Sequence, residues 1–459
     1  MGRSTLGFVV LATTCGFFLH CVGGDDTATK DAAANDVTTN DVVTNDVTVN
    51  DVTTNDAPIT DSGADGDGAI APLTITPMVA IGYGFSCSLR ATGRVYCWGT
   101  NTGGQLGNGA TSNTPNPTPG QVSLITNAAR ISAGNDFVCA VLTDHTVSCW
   151  GGNYLGQLGK TFSTTGDGTP AVVAGLSKVM SISAGGSHVC ALDNAGAVWC
   201  WGSNGSFQLG HDSSTDPACG GGYLCNPTPT KVAGLPAGID QVAMGIGHSC
   251  AHAGTQAWCW GDNTAAQLGH VPGTNNDAHP STYYQNATPV AATATGVAAV
   301  FAGGEVTCIL NASQAVQCWG TDTSGQLGDK GLVGSQTPAP VTVSGVNGGT
   351  AVAPGWLNSC AIGSSGQGYC WGDNSYGGEG VPSIDGGTDL AVNAVPYVNQ
   401  AVTIASNHPG EHHCAQDTSN AVVCWGTNNY GECGHANTSD PTCGGQKCVK
   451  GATAVAGLP

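Results

Sequence analysis

Apolar residues along this chain come in short alternating bursts rather than helical stripes. In Val95-Tyr96-Cys97-Trp98, Val95 and Cys97 fall on one side and Tyr96 and Trp98 on the other. That is the period-two signature of a strand. Two apolar runs precede it, Met78 to Ile81 and Phe85 to Leu89, separated by Gly82 and Gly84, with a turn at Ala91 to Gly93. After it come Gly99-Thr100-Asn101 and a loop ending Gly104-Gln105-Leu106-Gly107. A proline-rich connection then leads to a weaker fourth strand expected around Val122. The pattern predicts four short antiparallel strands in about 50 residues.

The unit recurs. Cys-Trp-Gly stands at 97–99, 149–151, 200–202, 259–261, 318–320, 370–372 and 424–426, with 51 to 59 residues between successive cysteines. Seven units of this length mean a solenoid or a propeller. Hairpin connections favour the propeller, because a parallel solenoid needs crossovers. The last residues, Val455-Ala456-Gly457-Leu458-Pro459, repeat Val232-Ala233-Gly234-Leu235-Pro236, which precede the first strand of the fourth unit. The chain is therefore expected to end where its first strand begins, as closure of a ring requires.

Each Cys-Trp-Gly has a cysteine ten residues upstream, nine in the fourth unit. The pairs are Cys87 with Cys97, Cys139 with Cys149, Cys190 with Cys200, Cys250 with Cys259, Cys308 with Cys318, Cys360 with Cys370 and Cys414 with Cys424. Hairpin partners fall opposite each other, within disulfide reach. Cys219 with Cys225 and Cys443 with Cys448 occupy matching Asp-Pro-x-Cys-Gly-Gly loops. Zinc is the rival reading, but no Cys-x-x-Cys spacing occurs. Nine disulfides and an oxidising compartment are expected, with Cys433 left over as a buried thiol.

These residues resemble the repeat of the regulator of chromosome condensation family, in its bacterial, exported, cysteine-rich branch. The family's Asn-x-x-Gly-Gln-Leu-Gly motif stands here as Asn101…Gly104-Gln105-Leu106-Gly107 and Asn153…Gly156-Gln157-Leu158-Gly159. It recurs as Asn204…Gln208-Leu209-Gly210, Asn263…Gln267-Leu268-Gly269 and Asp322…Gly325-Gln326-Leu327-Gly328. The resemblance covers 74–459 and implies an all-β, seven-bladed β-propeller. Eukaryotic members exchange guanine nucleotide on a small GTPase and dock on chromatin. This chain departs from them in carrying an export signal, paired cysteines and no basic stretch. Exchange activity is thus the alternative reading, by fold analogy alone.

Composition sets the address. Residues 1–24 read as a signal peptide: Arg3, then an apolar stretch from Leu6 to Leu19, too short to span a bilayer. Phe18-Leu19-His20-Cys21 resembles a lipoprotein cleavage site, making Cys21 the lipidation candidate. Residues 25–73 carry 11 Asp, one Lys and no aromatic residue, with Asn-Asp at 35–36, 40–41, 45–46, 50–51 and 55–56. So acidic and apolar-poor a stretch is expected to be a disordered tether. The chain's formal net charge of −20 argues against nucleic acid, which needs clustered Lys and Arg. Its 71 glycines and 9% charged residues argue against long surface helices.

No catalytic constellation stands out. His188, His248 and His412 share a slot that elsewhere holds Phe85, Phe137, Val306 and Asn358, so it reads as packing. His211, His270 and His435 follow the loop motif and read as solvated loop residues. Glu379 and Cys433 stand in the Leu slot, and Glu432 in the Gln slot, where the motif decays; with Glu411 they read as blade degeneration. The longest connections, His211–Thr230 and His270–Pro289, carry Tyr223, Tyr283 and Tyr284, the expected partner-binding residues. The expectation is an exported, monomeric propeller, lipid-anchored at the outer membrane or cell surface, or otherwise secreted. It would bind an extracellular protein or glycan, without cofactor, metal or catalysis.

Overall fold

Each Cys-Trp-Gly burst forms the third strand of a four-stranded antiparallel sheet in the computed structural model, which describes residues 70–459 except 279–282, 332–333, 382–386 and 407–411. The signal, Cys21, the acidic stretch to residue 69 and Glu411 lie outside the described residues. The first sheet runs β1 (Met78–Gly82), β2 (Phe85–Leu89), β3 (Val95–Asn101) and β4 (Ser112–Gln121), in that order. Seven such sheets follow one another, the last with an added two-residue strand, Thr442–Cys443. They are the blades of a seven-bladed propeller. Each sheet takes its strands from one continuous stretch of chain, so no blade borrows a strand from the other terminus. The ring closes by packing: β1 touches both the first strand of blade 2, Ala128–Ala133, and that of blade 7, Ala401–Ser406.

The fourth strand differs from expectation. It ends before Val122 and is the ten-residue run Ser112–Gln121, with Pro115, Pro117 and Pro119 in it. Proline donates no hydrogen bond, so it belongs on an outer edge strand, and this one is mostly exposed. Val122 follows the strand, fully buried, its amide on the Val95 carbonyl at 2.9 Å.

Hairpin register brings the paired cysteines face to face, as Cys87 opposite Cys97. All seven hairpin pairs and the two loop pairs are bonded, and Cys433 is the free, buried one.

The seven tryptophans of Cys-Trp-Gly are among the largest fully buried side chains. Each indole N–H also crosses to the loop carbonyl of the preceding blade. Trp150 reaches Gln105 O, Trp201 Gln157 O, Trp260 Gln208 O, Trp319 Gln267 O, Trp371 Gln326 O and Trp425 Gly378 O. Trp98 closes the circle on Glu432 O at 2.8 Å. A buried indole must place its N–H, and the repeat places it on the neighbouring unit.

Glycine is required where blades approach. A Cβ on Gly82 would lie 2.1 Å from the ring of Phe85 and 2.3 Å from the Gly134 carbonyl of the next blade. Gly185 and Gly245 stand in the same relation to the rings of His188 and His248. The aromatic slot and the glycine three residues before it are thus one device.

Candidate partner-binding face

A four-strand meander puts its first–second and third–fourth connections at one end and its second–third turns at the other. The Gln loops therefore all open on one face of the ring. Their residues staple the loop to itself. Asn101 Oδ1 accepts the Leu106 amide at 3.0 Å, and Gln105 Oε1 accepts the Gly103 amide at 2.8 Å. Glu432 does the same work in the Gln slot: its Oε2 accepts the Tyr430 amide at 2.6 Å. Burial pushes its carboxyl up to about 7, against the pull of its backbone hydrogen bonds. The Cys433 amide donates to Asn428 Oδ1 and its thiol to the Thr427 carbonyl at 3.3 Å. Burial first, and Glu432 next, raise that thiol well above its usual range. Glu379 takes the Leu slot with its amide on Asn374 Oδ1 and its Oε2 on Asn393 Nδ2 at 2.8 Å. Each member of this group has its own structural partner.

The slot of His188, His248 and His412 is fully buried, as packing predicts, and it is also wired. Each Nε2 meets a hydroxyl of the next blade: His188 with Ser249 at 3.0 Å, His248 with Thr307 at 2.9 Å, His412 with Ser86 at 2.9 Å. Those hydroxyls already donate to Gln208 O, Gln267 O and Glu432 O. A hydroxyl has one proton, so each imidazole donates through Nε2–H and is neutral. Burial holds all three at about 3.

His270 is not a solvated loop residue, and His211 and His435, expected to be solvated, are partly exposed but paired. His270 is 4% exposed and its Nε2–H donates to Asp277 at 2.9 Å. His211 pairs with Asp216 at 3.1 Å and His435 with Asp440 at 3.0 Å. In each loop the motif asparagine donates to the same aspartate: Asn204, Asn263 and Asn428. Burial alone would raise the Asp277 carboxyl, but the bonds from His270 and Asn263 outweigh it and hold it low. The sequence hint was an Asp five to seven residues after the His. These latches brace the Gln loops of blades 3, 4 and 7.

Two of those loops also carry the extra disulfides, and each leans on the blade before it. Leu155 of blade 2 packs on Cys219 and Cys225, and the Gly220 amide donates to Tyr154 O at 3.0 Å. Gly444, beside Cys443, sits against the ring of Tyr376 in blade 6. The loops of blades 3 and 4 meet through Gln285 Nε2 and Gly205 O.

On this base Tyr223 is 64% and Tyr283 52% exposed. Tyr284 is different: it is half-buried, with its ring over Gly273. Tyr154 at 49% and Tyr83 at 43% exposure share the face and were missed in the sequence. Tyr83 packs edge-on against Tyr430, ring centres 6.1 Å apart. Burial and Tyr430 push the Tyr83 phenol up to about 12. The available signal was a tyrosine in the tight first–second connection and tyrosines inside the Gln-loop motif.

Among the described residues no group of three or more His, Cys, Asp or Glu side chains is placed to hold a metal ion. None of the described helices is long and apolar enough to cross a membrane.

The chain is 30% identical over 304 residues to the human E3 ubiquitin-protein ligase HERC2, a match covering 64% of this chain and 6% of that protein. It is 28% identical over 323 residues to the ultraviolet-B receptor UVR8 of Arabidopsis thaliana, covering 68% of this chain and 67% of the receptor. Among solved structures, Prp20p of Saccharomyces cerevisiae superposes with a TM-score of 0.67 at 19% identity, over 84% of this chain and 88% of that one. Human WBSCR16 gives 0.64 at 20% identity, over 79% and 93%. Both structural likenesses are to the fold. A family model of the RCC1-like domain matches residues 66–406, well over half of the sequence, and the chain belongs to the RCC1-like domain family.

Proposed function

We propose that this protein is an exported, non-catalytic binding module that engages a protein partner through its Gln-loop face. One observation carries the reading. Of the ten tyrosines, seven lie in first–second or third–fourth connections, all on that face, and four of them, Tyr223, Tyr283, Tyr284 and Tyr430, stand in loops braced by a disulfide, a His–Asp latch or both. Rigid aromatics offer contact area at little cost in conformational entropy. Nine disulfides fit an oxidising environment. Lipidation at Cys21, the finer part of the proposal, would hold the ring at a membrane behind its acidic stretch. Detergent-phase partitioning of the full chain, lost in Cys21→Ala, tests that part.

For the face, the experiment is capture of partners from envelope or medium by the full chain, against a Tyr223→Ala/Tyr283→Ala variant. Affinity should drop by roughly 1–4 kcal/mol with an unchanged melting curve. Unchanged capture would overturn the assignment. Release by free sugars would replace the protein partner with a glycan. Prp20p was described with its binding properties to Gsp1p and histones, and nucleotide exchange here has only that fold likeness behind it.

A further inference from the structure

The opposite face, built from the second–third turns, has another character. All three arginines of the propeller lie there in blades 1 and 2: Arg90, Arg94 and Arg130. From residue 74 onward the chain has 20 acidic and 9 basic residues, so this is a cationic spot on an acidic molecule. Beside the blade 1 turn is a cavity of about 510 Å³, lined by Arg90, Thr92, Arg94, Tyr96, Thr126 and Pro459.

The two arginines of the cavity are used differently. Arg90 is buried, and its guanidinium is committed to the main-chain oxygens of Asn420 and Pro459. It forms a wall of the cavity. Arg94 is exposed on the turn, and its Nη1 donates to Gln121 Oε1 at 3.3 Å. Among the described residues, no carboxylate pairs with the rest of its fork. A guanidinium with free donors, beside a phenol and two threonine hydroxyls, is shaped to take a carboxylate.

The incoming chain passes this cavity. Ala71 O meets His145 Nε2 at 2.9 Å, and the Leu73 amide donates to Thr143 O at 2.9 Å, both in the blade 2 turn. Arg130 holds Thr74 O and Thr76 Oγ1. Ile75 abuts Gly93, between the cavity residues Thr92 and Arg94. The described chain thus begins on the turn face, one blade from the cavity, and residues 1–69 precede it in the sequence. They hold the five Asn-Asp repeats of residues 35–56.

We propose that the blade 1 cavity is a carboxylate site whose occupant is the Asn-Asp repeat of the same chain. Asp56 is 14 residues from Ile70, and a flexible linker of that length would have an r.m.s. span of about 20 Å. Tethering at such a distance gives an effective concentration in the millimolar range. Five equally spaced aspartates multiply the chances of engagement. The proposal concerns the turn face and stands whether or not the tyrosine face binds a partner.

The test uses the full chain and a labelled synthetic peptide of residues 35–56 as probe. In one variant the chain's own Asp36, Asp41, Asp46, Asp51 and Asp56 become Asn, which empties the site. By fluorescence anisotropy at low salt, that variant should bind the peptide saturably and at least fivefold more tightly than the wild type. Adding Arg94→Gln to it should weaken binding at least fivefold, Arg94→Lys less, and the melting curve should not move. Higher salt should weaken binding throughout. No saturable binding, or indifference to Arg94→Gln, overturns the site. Equal binding by wild type and neutralised variant overturns the intramolecular occupant. Dimers that dissociate on neutralising the repeat would assign the occupant to a second copy instead.

Discussion

Four buried imidazoles, His188, His248, His412 and His413, are held at about 3 by burial, against an ordinary value near 6.5. The folded state stays neutral where the unfolded chain takes up protons. Stability is therefore full above pH 6.5 and is lost as pH falls toward 3, by up to several kcal/mol per histidine. His248→Phe puts into blade 4 the residue that blades 1 and 2 use in that slot. It should leave the melting temperature near pH 7 little changed and make its fall between pH 6 and 4 shallower. An unchanged slope would show that other groups carry the acid sensitivity. Cys433 makes a second case. Its thiol is sealed and held protonated, so a neutral alkylating reagent should label it only on unfolding. Labelling of the native protein at a rate near that of a free thiol would refute the buried placement.

At the scale of an element, the Gln loops show how one motif is tuned. In every such loop the motif's Asn or Asp side chain caps an amide of the loop itself, as Asn101 does for Leu106. Blades 3, 4 and 7 add an aspartate that collects both the motif asparagine and the histidine. Asp277 is the most enclosed of the three, with a side chain at 0% exposure. Asp277→Ala leaves Asn263 and His270 without their shared acceptor, at a cost of about 1–3 kcal/mol for the orphaned donors. That cost is local, because the loop lies outside the blade's ladder. Limited proteolysis should cut within 271–284 several-fold faster in the variant, with the ring otherwise intact. Equal cutting rates would mean that the latch is not what braces the loop.

At the scale of the whole molecule, the ring has one junction that no chain crosses. Blades 1 and 7 meet through Trp98 on Glu432 O, Ser86 on His412 and Ser88 on Gln416. Arg90 adds its bonds to Asn420 and Pro459. Each blade supplies its own four strands, so these bonds across the seam all start from side chains, those of Trp98 and Arg90 ending on main-chain oxygens. Arg90→Ala should lower the melting temperature by a few degrees, from the loss of charge-assisted bonds worth about 1.5–3 kcal/mol each at most. Differential scanning calorimetry reads it, and a variant as stable as the wild type would show that the seam does not rely on Arg90.

The repeat itself was legible in the sequence. Alternation gave the strands, the spacing of seven Cys-Trp-Gly triplets gave the blades, and hairpin geometry with the matching loops gave the nine disulfides. All of these rest on local rules: which face a side chain takes, and which residue lies opposite. The fourth strand was misplaced because its prolines read as a connection, and only an outer edge makes a proline-rich strand tolerable. The His–Asp latches, the crossing of each tryptophan to the preceding blade and the Tyr83–Tyr430 contact depend on how loops and blades come together in space. Ring geometry decides those meetings, and it also gathers seven of the ten tyrosines on one face and the three propeller arginines on the other. Residues 83 and 430 are far apart in the chain and become neighbours only when the first and last blades close the circle.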